Sequence, residues 1–523
     1  MPLALSALLL APGARAVDLD SVKQSITNLD AVKPSYNSWR IVPMLDLREI
    51  YTDNVTLQPS GQTHGQFITE VSPGILINHK GPRLKLDGQY QLHLYAHTGD
   101  NYGGRKSSSY LRANAQAELV DNMVFVDSSA SMQLQSISPF APLVSGNEYA
   151  NTNSANVKTW QVSPYMRNRY GHFASSELRY LHDAVDAGNS ALGNTQGDTV
   201  SFRLNSGVQW DRLNWGVSGS NQKIHEKIRS DSTIRTAVVN LGYRLVPTFA
   251  VTAAGYYDDY DYHALSGSHG GSGAMAGFRW NPSRRTSVDA SFGHRYYGPS
   301  RSLKALHRSR RTTWDISYDD SVTTSRANFL RQGSISPGTV VPGGPARADL
   351  GGLFTPEGPP LIVPPPAIPP GLTDNLNFFS NRFFLQKQLR ANMSLRTART
   401  TAAISLYKVR REALSLGDAI VTVPGAPLDA LNDNLDQVGL GAVATYTLTP
   451  RSNLALSTDL SNNKSLTTGF KARASAVRLT LSHQIGRNIG ASAELRRVTG
   501  VTGLTRGPKY TENALSVALN MKL

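Results

Sequence analysis

The last ten residues read ALSVALNMKL (514–523). Leu515, Val517, Leu519, Met521 and Leu523 fall on one side of an extended chain. Ser516, Ala518, Asn520 and Lys522 fall on the other. In a β-strand, successive side chains point to opposite faces, so this stretch is an amphipathic strand. A barrel needs such a strand at its end, because the last strand must pair with the first to remove both open edges.

Working backwards, the same period of two recurs in nearly everything after residue 38. Phe67, Thr69, Val71, Pro73, Ile75 and Ile77 alternate before the turn NHKGPR, and Leu84, Leu86, Tyr90, Leu92 and Leu94 alternate after it. Val438, Leu440, Ala442, Ala444, Tyr446 and Leu448 turn at TPRSN into Leu454, Leu456 and Leu460. The opposite faces carry polar residues such as Lys85, Asp87, Gln89, Gln91 and His93. About 22 such segments (roughly 18–24) can be counted, most of them the ~10 residues that a tilted strand needs to cross a bilayer.

The connections sort by length. Short turns fall near 78–83, 120–122, 167–171, 211–214, 246–247, 281–285, 308–311, 396–399, 449–452 and 486–488. Longer polar loops fall between them, as at 96–107, 136–156, 182–198, 220–232, 259–271, 411–435 and 497–509; the link from Tyr297 to Ser300 is a short exception. Short turns at one end and long loops at the other mark an outer-membrane barrel. The expected fold is therefore all-β: one transmembrane antiparallel β-barrel over 38–523, with short periplasmic turns and long extracellular loops. A propeller would repeat a motif about every 40 residues, and no such repeat is present.

Composition agrees. Hydrophobic residues make up 40% and charged residues only 17%, as expected of a barrel with a polar lumen and an apolar outer face. Cysteine is absent, which removes disulfide, thiolate-zinc and Cys-nucleophile chemistry. Trp210, Trp215, Trp280 and Trp314 flank short turns, and Tyr51, Tyr95, Trp160 and Tyr257 lie toward the long loops, as interfacial girdles would. The longest irregular stretch, 321–378, contains VVPGGPARADLGGLFTPEGPPLIVPPPAIPPG (340–371). Its prolines exclude a sheet ladder, so it reads as an extended loop: a lid, a lumen constriction or an external insertion.

At the N-terminus, MPLALSALLLAPGARA (1–16) has an apolar core and a small-x-small end at Ala14-Arg15-Ala16. It reads as a cleaved signal peptide, with 17–37 a short periplasmic segment and a Gram-negative outer membrane as destination.

Several stretches resemble the outer-membrane β-barrel family associated with PEP-CTERM/exosortase systems: YTDNVTL (51–57), WQVSPYMRNRYG (160–171), GFRWNPSRRTSVDASFGHRYYG (277–298) and RSRRTTWDISY (308–318). The resemblance implies a single barrel linked to exopolysaccharide gene clusters, with an anionic polysaccharide and export machinery as partners. It implies no catalytic or binding residues.

The chain carries no phosphate-binding glycine loop, HExxH or GxSxG. No cofactor, catalytic residue or metal site is expected, and the protein is expected not to be an enzyme. Asp258, His263 and His269 share one predicted loop and are the strongest hydrolase candidates, though a solvated loop explains them more simply. Formal net charge is +15. Basic residues crowd the short turns (Arg167, Arg169, Arg284, Arg285, Arg308, Arg310, Arg311, Arg396, Arg399, Arg451, Arg487). Others are predicted on inward faces: Lys85, Arg179, Arg203, Arg244, Arg279, Arg295, Arg390, Arg478, Arg496 and Lys522, against Glu70, Asp87, Glu177, Asp289 and Glu494. Such a lumen favours anionic solutes. The leading expectation is a pore or export-associated barrel in contact with outer-membrane lipid and lipopolysaccharide, with no nucleic-acid partner. A barrel with a filled lumen and no transport is the alternative, and an outer-membrane hydrolase is third.

Overall fold

The computed structural model describes residues 39–98, 105–142, 148–149, 153–188, 194–226, 231–262, 269–333, 378–380, 382–415, 434–501 and 509–523. The segments expected as signal peptide and periplasmic lead, the Pro-rich run 340–371, and His263 lie outside these residues.

The described chain is a closed 22-stranded antiparallel barrel. Strand β1 spans Trp39–Thr52 and β22 spans Lys509–Lys522. They close the cylinder through Tyr51↔Leu515, Glu49↔Val517, Leu47↔Leu519 and Leu45↔Met521. Opposite residues share a face, so the apolar side of the terminal strand continues that of the first. Leu515 and Val517 are 47% and 55% exposed on the outer wall. An exposed apolar residue there faces hydrocarbon, and every strand is paired with a neighbour on both sides around the ring.

Between them run β2 (Gln66–Lys80), β3 (Leu84–His97), β4 (Ser107–Val120), β5 (Val124–Ser136), β6 (Ser154–Tyr170), β7 (Ala174–Asp186), β8 (Asn194–Ser206), β9 (Leu213–Glu226), β10 (Ser232–Val246) and β11 (Phe249–Asp261). The ring continues with β12 (Gly270–Ser283), β13 (Thr286–Arg295), β14 (Gly298–Arg308), β15 (Thr312–Thr323), β16 (Phe384–Arg396), β17 (Thr400–Ala413), β18 (Leu435–Thr449), β19 (Ser452–Ser465), β20 (Lys471–Gln484) and β21 (Ile489–Val501).

Two prolines inside strands leave visible gaps. The β2–β3 register runs to Val71↔Leu94 and resumes at Gly74↔Gln91, skipping Pro73. The β6–β7 register skips Pro164 between Val162↔His182 and Tyr165↔Arg179. Proline has no N–H to give the ladder; beside Pro164, the Ser163 hydroxyl donates instead to the Tyr180 carbonyl at 3.1 Å.

Several expected boundaries move. β6 runs on to Tyr170, so Arg167 and Arg169 are strand residues and the turn falls at 171–173. The turn expected at 211–214 begins after Ser206, where β8 ends. β7, β9, β11 and β21 extend beyond the expected loop starts. Above the bilayer both faces of a strand are polar, so the apolar period disappears while the ladder continues. Tyr95, expected in the outer girdle, is buried inside and meets Ser108 Oγ at 3.3 Å, because it shares parity with the inward His93.

Candidate functional site: a loop plug on a charged inner wall

The stretch 321–378, expected to be wholly irregular, opens with the end of β15, which runs to Thr323, and continues into α1 (Ser325–Gly333), a nine-residue helix. Thr324 caps it: its Oγ1 accepts the Ala327 N–H at 3.1 Å, the usual role of Thr before a helix. A helix this short is marginal alone, so packing must hold it. Phe329 and Leu330 are buried with Phe379 against Ile137, Val157, Val185 and Ala187. Each such side chain contributes roughly 1.5–3 kcal/mol on full burial. α1 follows β15 but contacts β5, β6 and β7, across the lumen.

Arg326 fastens it there. The guanidinium donates to Thr195 Oγ1 at 2.9 Å and to the buried Asp183 carboxylate of β7. The β8 wall leaves room through Gly197, where a Cβ would come within 2.5 Å of Arg326 Nη2.

A second segment crosses in another direction. Phe140 and Tyr149, from the β5–β6 connection, pack with Phe378 against Ala472, Ala474, Ala476, Val498 and Tyr510. Arg496 of β21 donates to the Glu148 carboxylate at 3.0 Å and to Glu512 of β22 at 3.1 Å, and it also meets the Tyr149 hydroxyl. Burial alone pushes the Glu148 carboxyl up, but Arg496, Arg48 and the hydrogen bonds outweigh it and hold the group below the usual carboxylate range. Burial, with Glu512 and Glu148 nearby, pushes the Tyr149 hydroxyl well above its ordinary value, against the pull of Arg496. The two segments also hold each other. The Phe379 N–H donates to the Ile137 carbonyl at 3.1 Å, the Ser325 hydroxyl donates to the Phe378 carbonyl at 2.7 Å, and Arg411 Nη1 reaches the same carbonyl at 3.3 Å. A plug built from the chain's own loops thus occupies the long-loop half of the lumen.

Below it, toward the short turns, lies a recess of about 740 Å³ whose lining includes Lys85, Asp87, Gln116, Asp127, Gln161 and Ser163.

Alternation with exposed apolar neighbours, together with the strand registers, places all the basic residues expected on the inner wall on that face. Many are engaged there. Arg179 bridges Asp127 at 3.0 Å and Glu177 at 3.1 Å, over the Tyr165 ring at 3.8 Å. Arg279 is bound to Asp289. Arg295 grips Asp258 through two nitrogens, at 3.1 and 2.6 Å. Arg244 meets Asp211 at 3.3 Å in a more exposed setting. Arg478 is buried. Among the described residues, no carboxylate ion-pairs with Lys85, Arg203, Arg390 or Lys522.

Another chain of charges crosses the closing seam. Glu70 of β2 lies 3.9 Å from Arg48 of β1, Arg48 lies 3.6 Å from Glu494 of β21, and Glu494 lies 3.9 Å from Arg496.

The sequence reading of Asp258 as a loop residue beside His263 and His269 is corrected here: Asp258 is a buried β11 residue committed to Arg295. Among the described residues, no group of three or more His, Asp or Glu is arranged to hold a metal. The residues that sequence reasoning missed are Glu148, Tyr149, Asp183, Arg326 and Arg411. A signal was present: Val157, Val185, Ile224, Ile234 and Val498 are apolar at inward positions, where a water-filled lumen calls for polar side chains.

No family model and no curated protein matches the chain. Among solved structures it is similar to the siderophore receptor PirA from Pseudomonas aeruginosa, at 10% identity and TM-score 0.45, over 92% of this chain and 80% of that one. It is also similar to the FrpB iron transporter from Neisseria meningitidis, at 9% identity and TM-score 0.47, over 92% and 82%. A third likeness is to the siderophore receptor PirA from Acinetobacter baumannii, at 8% identity and TM-score 0.45, over 92% and 80%. The closed ring, the apolar outer band and the charged, loop-filled interior define the chain as an outer-membrane β-barrel.

Proposed function

We propose that the protein is a gated outer-membrane pore whose gate is the plug of its own loops. The observation that supports this reading is the mutual clasp of residues 137–142 and 148–149 with residues 325–333 and 378–380 above an open recess. Buried apolar contacts hold the plug, but so do a few ion pairs at its margin, Arg326–Asp183 and Arg496–Glu148. A margin of that kind can be released without unfolding the wall. Arg279 and Arg295 serve as braces, because their charges are already matched. An anionic bias in the open state then rests on Lys85, Arg203 and Arg390. No catalytic role is assigned to any residue.

We further propose that the solute is an acidic surface polymer or a part of one. This rests on the PEP-CTERM/exosortase-type stretches such as WQVSPYMRNRYG, and on the suitability of arginine for carboxylate and sulfate. Single-channel recording of the refolded chain tests the gate. Wild type is expected to be closed for most of the record, and Arg326→Gln to open. A barrel that stays silent in both forms is instead a structural or assembly protein. A clean deletion with unchanged polymer yield and surface display removes the polymer assignment.

A further inference from the structure

The outer wall is uneven at its long-loop rim. From β6 to β11 a basic outward side chain is met by an acid. Lys158 lies 3.7 Å from Asp186 and Arg235 lies 3.3 Å from Asp259, and Lys223 stands across from Asp198.

The sector from β16 to β22 differs. Strand register places Lys387, Arg410, Asp436, Lys464 and Lys471 on one rung across five adjacent strands. The next rung toward the short turns carries Leu389, Lys408, Val438, Asn462 and Arg473. Lys509 continues the rim on β22, and Arg497 of β21 stands lower, across from Val477. Two acids stand among them. Glu412 takes Arg410 at 2.7 Å and Lys387 at 3.2 Å, and Asp436 lies on the first rung. Asp436 also stands across from Lys464, as Asp198 does from Lys223. Among the described residues, no carboxylate ion-pairs with or stands across from Lys408, Lys471, Arg473 or Lys509, and all four are exposed.

Below this sector the outer wall turns apolar at Leu406, Leu460, Val477 and Leu495, each exposed. The cations therefore sit just above the hydrocarbon band. An outward Arg or Lys costs about 2–4 kcal/mol at the midplane and about 0–1 near the interface. At strand spacings of about 4.8 Å, the first rung spans roughly 19 Å. The unmatched cations gathered in this sector repel one another unless an anion lies between them. Lysine and arginine both bind phosphate oxygens through charge-assisted hydrogen bonds.

We propose that this sector binds the phosphorylated headgroup of an outer-leaflet glycolipid, whose acyl chains lie on the apolar band beneath. The assignment rests on the outer-membrane placement and deepens it; it is independent of whether the lumen conducts.

The test uses the full chain refolded in detergent, titrated with a purified rough lipopolysaccharide carrying its phosphates, with the same glycolipid after dephosphorylation, and with inorganic phosphate alone. Binding is read by native mass spectrometry, and folding by the shift between unheated and boiled forms on a gel. The phosphorylated form is expected to bind at least about tenfold more tightly than the dephosphorylated one, with millimolar phosphate failing to displace it. Lys408→Gln/Lys471→Gln/Arg473→Gln is expected to lose that preference, while Lys158→Gln/Lys223→Gln/Arg235→Gln keeps it. Equal binding of the two glycolipids overturns the proposal, as does displacement by phosphate alone or equal loss in both triple variants. If the sector variant does not fold, the wild-type preference between the two glycolipids decides. A chain that shows no heat-modifiable folded form in detergent contradicts the membrane placement itself, a separate failure.

Discussion

Glu148 and Arg496 are 348 residues apart in the chain, yet Glu148 Oε1 lies 3.0 Å from Arg496 Nη2 inside the barrel. The contact joins a loop leaving β5 to the wall at β21, close to the closing seam. Both side chains are almost fully buried, so neither charge has water to turn to when the pair separates.

The pair makes the plug sensitive to acid. The folded Glu148 carboxyl is held below its ordinary range, so its contribution is complete above the unfolded value and is lost as pH falls through the lower folded value. Single-channel open probability is expected to stay low from neutral pH to about 5, and to rise only once pH drops below the normal carboxylate range of about 4. Glu148→Gln is expected to open the barrel at neutral pH and to flatten this dependence. Wild-type opening centred near pH 6 contradicts the assignment.

The Arg295–Asp258 pair braces the wall. Asp258 is 1% exposed, and removing one partner leaves an uncompensated buried charge. Arg295→Gln is expected to destabilise the barrel by about 3–5 kcal/mol. Arg295→Gln combined with Asp258→Asn is expected to recover most of that loss. Urea unfolding of the barrel in lipid vesicles, followed by tryptophan fluorescence, measures both.

The plug can also be loosened by volume alone. Gly197 lies where a Cβ would crowd the Arg326 guanidinium. Gly197→Leu is expected to push Arg326 from Asp183 and raise open probability, as Arg326→Gln does, without altering charge. An unchanged closed state in Gly197→Leu would show that Arg326 does not hold the gate.

Selectivity is expected to follow the unmatched cations. In the Arg326→Gln background, Lys85→Gln/Arg203→Gln/Arg390→Gln should lower the anion-to-cation permeability ratio by a factor of about two or more. The charge-neutral change Arg279→Gln/Asp289→Asn should leave it where it was. Reversal potentials under a salt gradient read the ratio directly. A fall in the second variant equal to that in the first would assign conduction to the braced arginines.

The barrel was legible in the residues because its cause is local. A strand crossing a bilayer must put apolar side chains outward at every second position, and each segment carries that pattern without reference to its neighbours. The terminal ALSVALNMKL therefore announced its pairing with β1, and Arg179, Arg279, Arg295 and Arg496 could be assigned to the inner face from parity alone. What occupies the interior depends on contacts between distant segments. Nothing near Arg496 in the chain identifies Glu148 and Tyr149 as its partners, and nothing near Arg326 names Asp183. Thr324 and the Phe329–Leu330 pair lie in the stretch read as irregular, because a helix of nine residues is stabilised only by the surface it meets. Alternation determined the wall one strand at a time. Only the closed ring, by bringing residues 137–142 and 148–149 to the same space as 325–333 and 378–380, decided that the long-loop half of the lumen would be occupied and that most of its buried cations would be paired.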